Sequence, residues 1–476
     1  MSFNERFEST EGNHVLSFFE SEYKNYAVYK VLQRLPHMLD TLASTQRKLI
    51  TVLEKRPQAR KIKTAETYGM VYNEMKYIHG DASVFTTSES LSRGATNNIN
   101  IFTEEGNFGF RTNRSAAGPR YTNTRFSEAA RLIFRAEDKP ILGKQEFEGA
   151  QIEAPFLLPI VPVAIMNGQD AIAIGFASKI LPHHPIALID SMIKALKRSK
   201  KIGPITQKMI APVPIDFPYF SGTSIADPNK PSNWTMSGIV KWAKRKHWVE
   251  ISEVPPSFTR ESYLKKLKKL LEKGIIKEYS ESCVKNKFNF MVKMSPDYLD
   301  KTELGLLRVL GLTDTTQENF TFIFPEDEDN PIKIFETVEE YLVEFLTIRL
   351  SWYGIRKNYI LSTLSDEIDS LKERIRFIHL VNNGDIQVTK RKKVDLEKEL
   401  AELDFNKLDS SYDYLLGMRL WNLTAEMQEK YQKTIRDKEK ELEVLNSTTS
   451  EDMYINELQE FKKFIQPELK KKKLID

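Results

Sequence analysis

The run "SAAGPRYTNTRF" at residues 115–126 sets Arg120 directly before Tyr121, behind small residues and a proline. A phenol with a reference pKa of about 10 is a weak nucleophile at neutral pH unless a cation stabilises its anion. Arg120 is a candidate for that cation, but the pair taken alone does not single out a nucleophile. The ordinary alternative is a packing tyrosine with a wet tip, one of 18 in the chain. The surroundings favour chemistry: "YIHGD" (77–81), "RGATNNIN" (93–100) and "EEGNFG" (104–109) are the glycine- and asparagine-rich turns of a compact functional loop region.

Composition narrows what such a nucleophile serves. A length of 476 residues implies about three domains, and 41% hydrophobic content is ample for their cores. The single cysteine, Cys283, excludes a disulfide framework and any multi-cysteine metal site, and fits a reducing cytoplasmic setting. The N-terminal run lacks the apolar core of a signal peptide. The most apolar stretch, residues 156–176, is broken by Pro159, Pro162 and Asp170, so it reads as buried structure rather than a bilayer span. A soluble protein is expected. Net charge is only +4, but basic clusters recur as "KRSKK" (197–201), "KWAKRKHW" (241–248), "KKLKK" (265–269) and "KKKK" (470–473). Each alone is an ordinary solvated face; together they suit a surface that tracks phosphates.

The elements that must position these residues follow from periodicity. Residues 24–56 show helical spacing broken at Pro36, with a basic helix after the break, the outline of a helix–turn–helix. Between about 205 and 330, "GIVKWA", "WVEISEVP", "FNFMVKM" and "FTFIF" alternate with turns and predict strands of a mixed α/β domain. Further on, Leu361, Leu364, Ile368, Leu371, Ile375 and Ile378 form one apolar seam, which "VNNGD" (381–385) interrupts. A second seam runs through Tyr431, Ile435, Lys438, Leu442 and Leu445. The pair predicts two long helices of an antiparallel arm with a small module at its tip.

Taken in order, these motifs resemble the DNA breakage-and-reunion subunit of the type IIA topoisomerases, the T-even bacteriophage members above all. The segments that carry the resemblance are "YAVYKVLQRLPHMLDTLASTQRKLI" (26–50), "YIHGD", "GNFGFRTNRSAAGPRYTNTRF" (106–126), "LLPIVPVAIMNGQDAIAIGFASKILPHHP" (157–185), "YLVEFLTIRLSWYGIRKNYIL" (341–361) and "YLLGMRLWNLT" (414–424). The resemblance implies an α+β multidomain fold: an N-terminal arm (1–24), a winged-helix breakage-reunion domain (25–195), a tower domain (196–335), and a coiled coil with a C-terminal dimer gate (336–476). It implies Tyr121 as nucleophile on a DNA phosphate, with Arg120, His79 and Arg34 offsetting transition-state charge. It also implies Val161 as the apolar wedge that bends the DNA, and Arg47, Lys48, Arg111 and Arg114 as DNA contacts. In this reading a phosphotyrosine ester stores the broken bond, so resealing needs no external energy source.

The family's metal site, a glutamate with an acid-x-acid cluster, has no convincing counterpart here; "PEDEDN" (325–330) reads as a solvated turn. Nor is there a glycine-rich phosphate loop for ATP. Mg2+ and ATP are therefore expected on a separate ATPase and metal-binding subunit, with double-stranded DNA, a homodimer and a cytoplasmic setting (the host cytoplasm if viral) completing the reading. Rival classes lack their marks: no histidine has an arginine three residues later, as a tyrosine recombinase needs, and His183–His184 are adjacent, not spaced as in a rolling-circle nickase. A non-catalytic coiled-coil DNA scaffold would leave the Arg120–Tyr121 block unexplained.

Overall fold

The computed structural model describes residues 14–472 apart from Asp409, so most of the expected N-terminal arm and the last lysine of the 470–473 cluster lie outside the described residues. The architecture is mixed α+β, in two compact units: Met1–Arg349 with Ile455–Asp476, and Leu350–Tyr454.

In the first unit, the helix Lys24–Arg34 stops where Leu35 turns extended (φ −72°, ψ 146°), as the residue before a proline must. The loop 36–42 is buried and the helix Ser44–Glu54 follows it. Gln46 Oε1 accepts the Ala43 N–H at 2.8 Å, satisfying one of the donors that a helix start leaves open. Helices Thr64–Met75 and Asp81–Ser92 pack against this one, and the apolar run 156–166 is buried throughout. Lys63 and Ile62 pair antiparallel with Asn123 and Thr124. That two-residue ladder ties the start of the helix Thr64–Met75 to the chain just after Tyr121.

A hairpin, Gln169–Ile172 with Ala177–Ile180, projects after the buried run. Its tip closes through Ala173 N–H to the Phe176 carbonyl at 2.9 Å, with Gly175 at φ +77°, a value that glycine reaches without a Cβ penalty.

All four expected strands form: Ile239–Trp242, Trp248–Glu253, Phe290–Met294 and Phe320–Ile323. The first three join Ile276–Glu281 in a four-stranded antiparallel sheet. Val249, Ile251, Phe290 and Val292 on one face bury the apolar stripe Tyr263, Leu267 and Leu270 of the helix Arg260–Glu272. Lys265, Lys268 and Lys269 of the "KKLKK" run are exposed, whereas Lys266 is half-buried and donates to the Gly311 carbonyl at 2.8 Å.

The second unit holds most of the helix Val338–Asn383, the helix Lys393–Glu402 and the helix Ala425–Ser447. Leu364, Ile368 and Ile378 of the first seam are buried, as is Ile435 of the second. Lys438 pairs with Glu367 at 2.5 Å and Lys372 with Glu439 at 2.9 Å, so the two long helices run side by side. The first helix ends just before Gly384 (φ +85°), in the left-handed turn typical after a helix C-terminus. Phe377, Ile386, Leu396, Leu400, Phe405, Tyr412 and Leu415 form the small core of the tip module.

Candidate active site

Tyr121 is 70% exposed, an unusual state for a residue whose ring is mostly apolar. The Arg120 guanidinium lies 5.5 Å from its ring centroid, within cation–π range. Arg120 has no carboxylate partner among the described residues, which leaves its charge available to an anion. The backbone beneath the pair is fixed. Tyr121 N–H donates to the Gly118 carbonyl at 2.8 Å, Ala65 N–H to the Pro119 carbonyl at 3.1 Å and Thr64 N–H to the Thr122 carbonyl at 3.0 Å. The Lys63 ammonium donates to the Arg120 carbonyl at 3.2 Å, bringing a second cation to the same surface.

His79 and Arg34 form a separate cluster. The last residue of its helix, Arg34 is exposed, well placed for the negative end of the helix dipole. His79 Nε2 lies 2.8 Å from Gln33 Oε1 and 2.9 Å from the Tyr29 hydroxyl, while Gln33 Nε2 donates to that hydroxyl at 2.8 Å. With the carboxamide so oriented, Nε2 carries the proton and Nδ1 the lone pair. Burial, then the nearby charges of Lys30 and Arg34, hold His79 below the ordinary histidine range. The imidazole is thus neutral near pH 7, and the cluster's positive charge comes from Lys30 and Arg34. Both basic residues line an open cavity of about 410 Å³, with His79, Thr87, Asp170 and Ile172 on its other walls.

The two clusters do not meet within one chain. Lys63, bonded to Arg120, stands at the N-terminal end of the helix Thr64–Met75, and His79 follows its C-terminal end. Twelve residues at a rise of about 1.5 Å each put roughly 18 Å between those ends. A separation of that order is far wider than one phosphate.

Four of the expected DNA contacts are buried or nearly so in the structure. Val161 is fully buried, as is Ile160, within an apolar run that packs the core. Arg47 is buried: its Nε donates to Asp40 Oδ2 at 2.6 Å and its Nη2 to the Leu42 carbonyl at 3.1 Å. Lys48 is 12% exposed and spans the Glu153 carboxylate, at 2.7 Å from Oε1, and the Met75 carbonyl, at 3.3 Å. Arg111 is buried against Glu253, with Nη1 to Oε1 at 2.8 Å. These three cations are spent on protein acceptors. Arg114 is exposed, with Nη2 donating to the Pro256 carbonyl.

The sequence reading does not single out Ile172. It is 81% exposed on the hairpin and lines the same cavity as Arg34. Within 157–185 the only other exposed large apolar side chain is Phe176 at 37%. Its signal lay in the alternation of "QDAI", where polar and apolar residues trade faces, against the unbroken apolar run around Val161.

"PEDEDN" is also more structured than a solvated turn: Glu326 pairs with His37 Nε2 at 2.9 Å, and Asp327 pairs with Lys333 at 2.7 Å. Among the described residues no three His, Cys, Asp or Glu side chains gather as a metal cluster. Nor is any helix among them long and apolar enough to cross a membrane.

The fold thus presents an exposed Arg-Tyr pair on a fixed loop and, separately, a cationic cavity beside an apolar hairpin. The family model for the A-type chain of DNA gyrase/topoisomerase IV matches residues 34–460, and this protein belongs to that family. It is 29% identical over 486 residues to a DNA topoisomerase 2 of Penicillium chrysogenum, covering 93% of this chain and 30% of that protein. A DNA topoisomerase 2 of Acanthamoeba polyphaga mimivirus is 27% identical over 513 residues, covering 93% of this chain and 40% of the relative. The crystal structure of the Plasmodium falciparum topoisomerase II DNA-binding, cleavage and re-ligation domain superposes with a TM-score of 0.83 at 28% identity, covering 94% of this chain and 64% of that one. The chain thus spans about a third of the length of the curated relatives.

Proposed function

We propose that this chain is the DNA cleavage and religation subunit of an ATP-dependent type IIA topoisomerase. The Tyr121 oxygen attacks a backbone phosphate of duplex DNA, forms a 5′-phosphotyrosine ester and releases a 3′-hydroxyl; the reverse attack by that hydroxyl reseals the strand. Arg120 offsets the charge that develops on the non-bridging oxygens, and exposure leaves the nucleophile open to a substrate as large as DNA. The single observation that carries this reading is the exposed, unshared Arg120 beside a 70% exposed Tyr121.

Arg34 and His79 act at the same phosphate chemistry from a second copy or a second face of the bent duplex, because one helix length separates them from Tyr121. Ile172 takes the wedge role, since it is the long exposed apolar side chain on the hairpin beside that cationic cavity. Arg114 remains a candidate phosphate contact. The finer division keeps the winged-helix region at 25–195, the tower at 196–335 and the coiled coil with its dimer gate at 336–476; the side-by-side helices of the second unit support the last of these. Two copies are needed to cut both strands.

Mg2+ and ATP are assigned to a partner polypeptide, as in the T-even bacteriophage enzyme that the sequence resembles. The N-terminal helical stretch supports such docking: Leu16, Phe19, Tyr23 and Tyr26 recur at helical spacing and are all exposed, an apolar face that water does not favour. Supercoil relaxation by the purified complex, compared between the wild type and Tyr121→Phe, tests the function. Relaxation that survives the substitution would refute it.

A further inference from the structure

We propose that Arg111 is a positioning residue for Tyr121: its guanidinium pegs the loop 106–121 into a socket formed by residues 219–288, and the pegged loop holds the nucleophile in register with the scissile phosphate. The proposal rests on the reading of Tyr121 as the nucleophile. It concerns a residue ten positions upstream that is buried and cannot touch DNA.

The loop is anchored at two ends. At its root, Glu105 and Asn123 exchange backbone hydrogen bonds at 3.2 and 2.9 Å, and Lys63, Thr64 and Ala65 hold the chain around Tyr121. Between root and tip the loop folds on itself: Ala117 N–H donates to the Asn107 carbonyl at 2.9 Å, and a Cβ at Gly109 (φ +94°) would lie 2.8 Å from the Arg114 carbonyl carbon. The tip then depends on Arg111. Its Nη1 donates to Glu253 Oε1 at 2.8 Å and to the Tyr219 carbonyl at 2.9 Å, and its Nη2 to the Val254 carbonyl at 3.2 Å. The guanidinium carbon lies 5.4 Å from the Phe220 ring centroid and 5.1 Å from that of Phe288. Glu253 is built to receive it, because its other oxygen already accepts Ser221 N–H and Oγ–H, each at 3.0 Å.

The backbone next to the peg is bonded to the same region. Arg111 N–H donates to Asn286 Oδ1 at 2.9 Å, Thr112 N–H to the Lys285 carbonyl at 3.2 Å and Arg260 N–H to the Thr112 carbonyl at 2.9 Å. Lys285 and Asn286 lie in the turn that joins the strands Ile276–Glu281 and Phe290–Met294, and Arg260 opens the helix that carries the basic run 265–269. Displacement of that segment therefore moves the loop, and reaction rates fall steeply when a nucleophile leaves its attack geometry. A planar fork bonded to three acceptors cannot be replaced by the point charge of lysine.

The test uses the full chain, purified through a tag on it together with the polypeptides that accompany it, on a duplex carrying a bridging phosphorothiolate at the cleavage site. Arg111→Lys is compared with Leu267→Ala, which loosens the core of the same sheet without touching the loop. For Arg111→Lys the expected results are a covalent-adduct rate at least tenfold lower, a DNA Kd within twofold of wild type, and faster amide exchange at residues 113–122. Leu267→Ala should lower Tm yet keep the adduct rate at temperatures where it is folded. An unchanged rate in Arg111→Lys, or equal losses in both variants at matched folded fraction, would overturn the positioning role. Absence of any adduct at Tyr121 in the wild type would instead overturn the reading of the nucleophile.

Discussion

The guanidinium of Arg120 stands 5.5 Å from the ring of Tyr121 and is bound by no carboxylate among the described residues. An arginine that is neither buried nor paired beside an exposed phenol is positioned for an anion that arrives from outside. Arg120→Ala is expected to lower the rate of covalent-adduct formation by roughly 100-fold, the scale for removing one transition-state donor. DNA affinity should change far less, since many cations share that task. Adduct kinetics alongside fluorescence anisotropy check both, and equal losses in the two would assign Arg120 to binding alone.

Ile172 and Val161 predict opposite phenotypes. Ile172→Ala removes an 81% exposed side chain, so Tm should hold while DNA bending, read by fluorescence transfer between duplex ends, declines. Val161→Ala opens a void in the core and should cost about 2 kcal/mol of stability, with bending retained in the folded fraction. Loss of bending in Val161→Ala alone would return the wedge role to Val161.

Arg47 behaves as a core residue. Its partner Asp40 is fully buried and also accepts the N–H groups of Leu42 and Leu157, each at 2.9 Å. Arg47→Ala would strand that carboxylate, at a cost of about 3–5 kcal/mol. Denaturant unfolding should show this loss, and DNA affinity per folded molecule should be unchanged.

His79 gives a pH signature. Its folded pKa is held below the unfolded value, so the unfolded state binds the proton first as pH falls below about 6.5. Stability from this group is therefore complete above that pH and declines below it, until the folded pKa is passed. Because Lys30 and Arg34 contribute to the depression, Arg34→Ala should raise the His79 pKa in an NMR titration. An unmoved value would mean that Arg34 does not contribute to the depression.

Much of this was legible in the sequence because local patterns report local structure. The strands around Trp248 and Phe290 showed through alternation, and the seams through Leu364 and Ile435 through spacing, since each pattern is the imprint of one buried face. Cations were harder. Arg47, Lys48 and Arg111 look like surface residues by type, but their acceptors, Asp40, Glu153 and Glu253, are 7 to 142 positions away, and only folding reveals the pairs. Tyr121 was legible for the opposite reason: an arginine, a proline and small residues around it are all local.

Everything proposed for the reaction turns on Tyr121 being the oxygen that joins DNA. Rapid denaturation of the complex on a labelled duplex, followed by nuclease and protease digestion and mass spectrometry, measures this directly. The expected product is a nucleotide 5′-phosphate on the peptide containing Tyr121, and none in Tyr121→Phe, whose DNA binding persists. An adduct on any other tyrosine, or an adduct that survives Tyr121→Phe, would show that the nucleophile is a different residue.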